Sequence, residues 1–472
     1  MTRHEASCQR SESQANGLLV TQVKGDKEMD LLLQKIYGLS KSEQAECAKH
    51  VMLGGGTRGG PILVRGQGVR VYDPEGRDYI DCTSQSWAMY LGFANEEINR
   101  VVAEQMQNLS HVHQGFDTLP RFYLARKLAQ IAPGDLERVS FTVGGGAAIE
   151  AAMKIAYKNT QPSREFISLY DSFHGTTLGT MGASWVSTRA SGKFVGGSRF
   201  LGLTRPFIRV PNPYCYRCPL GLKRENCSLA CVQMLRSTLE RGVAGNAAGI
   251  IIEPIQASAG QIILPREYLE AVRKICDEFN VPLIFDEIQT YARTGRFFAA
   301  EYFGVTPDII VLGKGFGGGL PLAAIIISNK LEGFQPDSEE LHTFANSSVA
   351  QVAAAKQIEL LENGILRNAS HMGEYLGAAL KGMQRDFPEI GDVRVVGLHI
   401  GIEFVRDPVS KEPLHAEGKA IRDEGIKIGV IFGLGGVRPN VLKIKPPLII
   451  KKSECDEILE KLQEAMRRVL RK

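Results

Sequence analysis

No apolar run in the 472-residue sequence approaches the roughly 18 residues a membrane-crossing helix needs. The opening Met1-Thr2-Arg3-His4-Glu5 lacks the apolar segment of a secretory signal. Neither sign of charge dominates: 56 Lys and Arg stand against 52 Asp and Glu, a net +4, with no basic patch interleaved with aromatics. Membrane and nucleic acid are therefore not expected as partners. No internal repeat is found. The nine cysteines are an odd number in a chain far larger than a disulfide-stapled scaffold, so reduced thiols in a cytoplasm are expected. The Asn-x-Ser sequons starting at Asn108, Asn226, Asn346 and Asn368 then carry no meaning.

What is present is ordinary in bulk, with 44% hydrophobic and 23% charged residues. The length suffices for a large core and two or more domains. Residues 1–26 are polar and unpatterned and read as an extension. Short helical patterns follow (Met29, Leu32, Leu33, Ile36), then a glycine-rich connector, Gly54–Gly60. Val69–Tyr72 and Arg77–Asp81 flank Asp73-Pro74-Glu75-Gly76, a hairpin with Pro at the second turn position.

From about residue 95 helix and strand alternate. Glu96–Leu109 reads as helix, Arg138–Thr142, Glu165–Tyr170 and Gly249–Ile252 as strands, and Pro265–Phe279 as an amphipathic helix. This alternation implies a mostly parallel sheet covered on both faces. After Thr343 the pattern changes to helices near 347–362 and 369–385, a strand-like run Val395–Val405, and a last helix capped by Ser453. The expected divisions are 1–94, an N-terminal extension with part of a small domain; 95–345, a large domain; and 346–472, a C-terminal α+β domain.

Three segments carry chemistry. Asp308–Leu312 is an apolar strand running into Gly313-Lys314-Gly315-Phe316-Gly317-Gly318-Gly319-Leu320-Pro321, and a second apolar run follows. Glycines let the backbone turn tightly and let a planar ligand approach. A lysine among them reads as an amine aimed into a pocket, where desolvation lowers its pKa and makes it nucleophilic. The second segment, Val281–Gln289, is a strand ending in Asp286-Glu287, a carboxylate at the carboxyl edge of a parallel sheet. A Schiff-base lysine and an aspartate for a pyridinium nitrogen are what pyridoxal 5'-phosphate asks of a protein. The third is Val143-Gly144-Gly145-Gly146-Ala147, where bare backbone N–H groups open a helix. It reads as a phosphate site or as a turn that binds nothing.

Cys215, Cys218, Cys227 and Cys231 form a C-x2-C-x8-C-x3-C array in a Pro-rich stretch. That spacing suits a structural zinc ion, packed free thiols or two labile disulfides.

The ordered set Phe173-His174-Gly175, Glu253-Pro254, Asp286-Glu287-Ile288-Gln289, Arg293-Thr294-Gly295, Lys314 and Pro446-Pro447-Leu448 resembles the class III pyridoxal-phosphate-dependent aminotransferases (fold type I), over about residues 60–470. The resemblance implies an α/β fold: a large domain with a mostly parallel seven-stranded sheet and a smaller α+β domain drawn from both chain ends. It implies that Lys314 forms the Schiff base and moves the proton, Asp286 holds the pyridinium, and Gln289 meets the ring hydroxyl. Phe173 stacks on the ring, with His174 beside it, and Gly144, Gly145 and Gly146 take the phosphate. Thr343 reaches the phosphate of a neighbouring subunit, hence a homodimer or tetramer with shared sites. Glu253, Trp87, Arg293, Arg438 and Lys443 fall on the substrate side. The implied partners are an amino donor and a 2-oxo acid acceptor.

The chain departs from the family pattern in three places. Its phosphate loop has no hydroxyl residue. Thr290-Tyr291-Ala292 replaces a glycine-rich stretch and is expected to narrow the site. Lys443 stands where an arginine is common. Lysine cannot grip a carboxylate with two parallel hydrogen bonds, so Arg438 or Arg293 could take that task. Amino-group transfer is the favoured activity. Amino-acid racemisation or epimerisation is the alternative on the same scaffold, followed by phospho-lyase or decarboxylase chemistry and by a non-catalytic homologue.

Overall fold

Apolar runs too short for helices and rich in β-branched residues become the strands of one sheet. A computed structural model of the chain describes residues 29–52, 60–184, 189–190, 193–194 and 196–471. The seven strands are β1 (Leu136–Thr142), β2 (Glu165–Leu169), β3 (Phe207–Val210), β4 (Ala247–Ile252), β5 (Leu283–Asp286), β6 (Ile309–Leu312) and β7 (Ala323–Ser328). They lie in the order β1-β7-β6-β5-β4-β2-β3. Only β7 runs against its neighbours β6 and β1, and the other pairs are parallel.

Successive residues alternate between faces, and both faces are covered. Ile251, Ile284 and Ile309 pack with Ala148, Ile149, Ala152 and Ile155 of α1 (Gly145–Lys158). Ile250, Phe285 and Ile310 join the larger cluster that includes Tyr268, Leu269, Val272 and Ile275 of α2 (Arg266–Phe279). Parallel strands point their carboxyl ends one way. Glu253 and Lys314 therefore follow β4 and β6, and Asp286 ends β5, on one edge of the sheet, and Phe173 and His174 follow β2.

A second, antiparallel sheet is built from β8 (Ile390–Val396), β9 (His399–Phe404), β10 (Gly433–Gly435) and β11 (Val441–Ile444), in the order β8-β9-β11-β10. The single run expected over 395–405 is thus a hairpin. Val396 pairs with His399 around Gly397, whose φ of +53° makes the turn. Apolar residues on both sides hid the reversal from a reading by periodicity. The hairpin about Asp73 forms as expected, with Asp73 Oδ1 accepting from the N–H groups of Glu75 and Arg77. Val430–Ile431 adds in parallel to its second strand, Asp78–Asp81, joining distant parts of the chain.

Helices α3 (Ser348–Leu360) and α4 (Leu366–Met383) match expectation, and α5 spans Lys452–Leu470. Its cap is Lys451, not Ser453: the Glu454 carboxylate turns back to accept the Lys451 N–H at 2.7 Å, which starts the helix two residues early. The extension 1–26 and nearly all of the glycine connector at 54–60 lie outside the described residues.

The four clustered cysteines line one small cavity beside Asn212 and Arg224. The tetrahedral zinc site is nevertheless not formed: among the described residues, no three His, Cys, Asp or Glu side chains are placed to hold a metal ion. Cys215 and Cys227 turn their thiols to backbone carbonyls, those of Pro213 (3.5 Å) and Arg224 (3.6 Å). Burial pushes the Cys231 thiol up to about 11. Spacing brings such residues together, but the direction of each Cβ decides whether four sulfurs converge. All four are free thiols.

One close approach locks the second sheet to α4. A Cβ on Gly373 would lie 2.1 Å from the Gly397 carbonyl oxygen, a backbone atom that cannot swing aside. Gly373→Ala is expected to cost about 3 kcal/mol, read as a lowered urea midpoint. An unchanged midpoint would mean that the helix and hairpin separate freely.

Candidate active site

The carboxyl edge of the sheet holds a cavity of ≈ 270 Å³. Its lining includes Gly145, Gly146, Phe173, His174, Glu253, Asp286, Gln289 and Lys314. Lys314 comes two residues after β6 and stands at φ +48°, a left-handed conformation that costs a side-chain-bearing residue free energy and persists where the surroundings impose it. Burial pulls its amine below the usual lysine pKa, while the charges of Asp286 and Glu253 oppose that shift.

Asp286, last in β5, is 5% exposed. Its Oδ1 accepts the Ile288 N–H at 3.1 Å, and Oδ2 lies 2.8 Å from His174 Nδ1. The other ring nitrogen of His174, Nε2, is buried and unpartnered. Adjacent strand residues face opposite ways, so Glu287 points away from the cavity. It accepts from Thr290 Oγ1 (2.8 Å) and from the N–H groups of Ala299 (2.6 Å) and Ala300 (2.9 Å). Of the acidic pair, only Asp286 faces the site.

Glu253 is anchored by backbone, its Oε1 accepting the Phe173 N–H at 2.8 Å and its Oε2 the Ala257 N–H at 3.1 Å. Burial, with Asp286 nearby, pushes it up to about 7 against the pull of His174. At the other end of the cavity Gly144 caps α1, and Gly145 and Gly146 form its first turn. A Cβ on Gly145 would meet the Ile288 side chain at 2.8 Å and one on Gly146 would meet the Thr177 side chain at 2.8 Å, so a larger residue at either position would have to displace a neighbour that lines the cavity. Thr176, Thr177, Ile255 and Ile288 also line the cavity. The sequence reading missed them; the two threonines lie just past Phe173-His174-Gly175, where a search for hydroxyls to replace those absent from the glycine loop would have found them.

The substrate-side candidates separate. Trp87 ends the turn Ser84–Trp87, four consecutive residues with φ between +40° and +69°. Asp81 holds this turn by accepting from the N–H groups of Thr83 (2.8 Å) and Gln85 (2.9 Å). Lys443 and Lys445 place their amines 5.5 and 4.5 Å from the centre of the indole ring. Lys443 is 5% exposed and donates to the Ser258 carbonyl at 3.4 Å. Burial pulls its pKa down to about 8, with the Lys314 charge helping and Glu253 opposing.

Arg293 is fully buried, its guanidinium 4.6 Å over the Tyr90 ring. It donates to Ser84 Oγ (2.7 Å) and to the carbonyls of Pro446 (3.0 Å) and Leu398 (3.4 Å), a structural clamp away from the cavity lining. Arg438 is exposed, and its charge acts on Asp171. Tyr291 does not narrow the site: it packs edge-on against Phe316 with ring centres 5.9 Å apart, within the core. Thr343 is exposed and outside the cavity lining.

The residues fit pyridoxal phosphate. A glycine cradle with bare N–H groups, a half-buried aromatic, a buried carboxylate braced by a histidine and a pKa-lowered lysine all face one cavity.

Comparison with known proteins agrees. The family model for class III aminotransferases matches residues 58–466. The chain is 34% identical over 410 residues to the leucine/methionine racemase of Thermococcus litoralis, covering 86% of this chain and 90% of that one. It is 32% identical over 435 residues to the adenosylmethionine-8-amino-7-oxononanoate aminotransferase of Geobacter sulfurreducens, covering 86% and 92%. Among solved structures, a Bacillus anthracis aminotransferase superposes with a TM-score of 0.82 at 28% identity, covering 91% of this chain and all of that one. The chain belongs to the class III aminotransferases, pyridoxal-phosphate-dependent enzymes of fold type I.

Proposed function

We propose that the protein moves an amino group between a carboxylate-bearing amino compound and a 2-oxo acid, with Lys314 as the reacting amine and Lys443 as the carboxylate anchor. The observation that carries this is the convergence of Lys314, Asp286 and the glycine cradle on one cavity. Bound there, the cofactor supplies an electron sink for the bond broken at the substrate's α-carbon. Lys314 would hold it covalently, Asp286 would keep its ring nitrogen charged, Phe173 would cover its face, and the N–H groups of Gly145 and Gly146 would bind its phosphate. Once displaced by substrate, the Lys314 amine is free to take a proton from the α-carbon. Its lowered pKa leaves more of it unprotonated for that task near neutrality.

Lys443 is preferred over the arginines because Arg293 has its donors on Ser84, Leu398 and Pro446, and Arg438 lies in solvent. A lysine whose pKa is near 8 binds anions while charged. The Michaelis constant for carboxylate substrates is expected to be flat below pH 8 and to rise roughly tenfold per pH unit above it. Lys443→Met should raise that constant about 10–100-fold, the loss of one charge-assisted hydrogen bond, with cofactor affinity unchanged and the pH dependence gone. An unchanged constant would move the anchor to Arg438.

A racemase reading has one specific support. The Thermococcus litoralis relative is named a leucine/methionine racemase, and an isoleucine 2-epimerase of Lentilactobacillus buchneri is 32% identical over 413 residues. One experiment separates the two activities: holoenzyme mixed with L- and D-amino acids in D2O without oxo acid. Bleaching of the cofactor with release of oxo acid means transfer. Deuterium entering both enantiomers without bleaching means racemisation and overturns the transferase reading.

We also read the active form as a homodimer whose partner supplies Thr343. Supporting this, Leu119, Phe122, Tyr123, Leu341 and Phe344 are large apolar side chains left exposed. A small domain drawn from both chain ends is supported by the pairing of Val430–Ile431 with Asp78–Asp81. A reducing cytoplasm is supported by the free state of the eight described cysteines.

A further inference from the structure

Gln289 enters the cavity with an ambiguity that matters. A side-chain amide carries an acceptor oxygen and a donor nitrogen of nearly the same shape, and rotation by half a turn exchanges them. Facing a cofactor's ring oxygen, one orientation attracts and the other repels. Among the described residues, no side chain of the cavity lining hydrogen-bonds the Gln289 amide; its partner lies one layer behind.

Lys445 directly follows β11 and alternates with Lys443, so both side chains leave the strand toward the same side. It is fully buried, and its Nζ donates to Gln289 Oε1. Its backbone carbonyl accepts Ser84 Oγ–H at 2.7 Å, and its N–H donates to the Cys82 carbonyl at 2.8 Å, which fixes the strand end from which the side chain springs. The amine lies 4.5 Å over the Trp87 ring. Trp87 sits on the left-handed turn, so a strained backbone segment holds the face on which the amine rests. The charged groups around it are Arg293, Lys443, Lys314 and Glu253, with the buried His399 also close. Among the described residues no carboxylate is in contact with it, so the Gln289 oxygen is the acceptor that satisfies an otherwise costly buried donor.

We propose that Lys445 is a positioning residue that locks the Gln289 amide with its oxygen turned away from the cavity, so that Gln289 Nε2 is presented as a hydrogen-bond donor to the ring oxygen of the bound cofactor. This rests on the cofactor reading above. An N–H aimed at that oxygen withdraws electron density from the neighbouring nitrogen through which the cofactor is held, and so lowers the pH at which that nitrogen loses its proton. Lys445 thereby tunes the cofactor without touching it. It also explains why a fully buried amine is retained here when an apolar side chain of the same volume would pack without the desolvation cost.

The test is a four-variant cycle on the pyridoxal-phosphate-loaded protein: wild type, Lys445→Met, Gln289→Ala and the double variant. Methionine keeps the volume of the lysine stem and leaves no buried amine, so the fold is expected to survive. The pH midpoint of the cofactor's visible absorbance should rise by about one unit in Lys445→Met, the tenfold shift that follows from losing one ordinary hydrogen bond. It should rise at least as much in Gln289→Ala, and no further in the double variant. The dissociation constant for pyridoxal phosphate, measured by dialysis, should weaken about tenfold in each single variant and again no further in the double. A merely structural role for Lys445 predicts instead that midpoint and affinity are unmoved in Lys445→Met, or that the two substitutions add. Either result overturns the proposal. A wild type that binds no pyridoxal phosphate overturns the cofactor reading itself, a distinguishable failure.

Discussion

Lys314→Ala is expected to lose turnover by about 10³-fold or more while leaving the fold in place. General acid–base catalysis alone contributes about 10²–10⁴-fold, and this residue is assigned both the covalent hold and the proton transfer. The fold should survive because alanine pays the same left-handed backbone cost at φ +48° that lysine already pays, and the amine removed is a destabilised, buried one. Lys314→Arg should fail equally: it keeps a positive charge in the cavity but remains protonated and offers no nucleophile. The paired variants separate charge from reactivity. Borohydride treatment of the loaded wild type, followed by peptide mass mapping, should place the added mass on the peptide containing Lys314. Lys443 and Lys445 are also buried amines with lowered pKa values beside the same site, so mass on either of them, or wild-type turnover by Lys314→Ala, would sink the assignment.

Those two lysines show where the sequence was legible and where it was not. A strand that ends in a functional residue announces itself, because an apolar β-branched run stops at a charge: Leu283–Asp286 and Ile309–Leu312 before Lys314 were read this way. Lys443 was visible as a departure from a family pattern. Lys445 was passed over, although its spacing of two from Lys443 on a strand was enough to put both on one side. Arg293 was misjudged for the opposite reason. In sequence, an arginine that binds ligand and one that clamps the core are the same letter. The difference is made by Tyr90, Ser84, Leu398 and Pro446, four residues from three distant stretches that meet only in the fold. The same holds for the cysteines, whose spacing sets proximity and not direction. The β8–β9 hairpin was lost because its turn needs one residue at positive φ, Gly397, inside a mostly apolar run with no Asn, Asp or Pro to mark the turn.

Asp286→Ala is the second large effect expected. The carboxylate is buried, braced by His174 and the Ile288 N–H, and aimed at the cavity. Removing one partner of a buried charge pair costs about 3–5 kcal/mol, or about 10²–10⁴-fold in kcat at 1.36 kcal/mol per decade. A modest fall in melting temperature should accompany it, since His174 Nδ1 loses its partner while its Nε2 already has none. Loss of rate alone would not identify the cause, because a shifted histidine also slows an enzyme. The two explanations part when the protein is loaded with pyridoxal phosphate methylated on the ring nitrogen. That analogue carries a permanent positive charge and needs no carboxylate to keep it, and the alanine leaves room for the methyl group. If Asp286 serves to hold the ring nitrogen charged, the analogue should restore the Asp286→Ala rate by at least about tenfold and give wild type nothing. If Asp286 only positions His174, the analogue should help neither protein. Rescue therefore assigns the residue its electrostatic role at a defined atom, and its failure would demote Asp286 to a brace for the histidine.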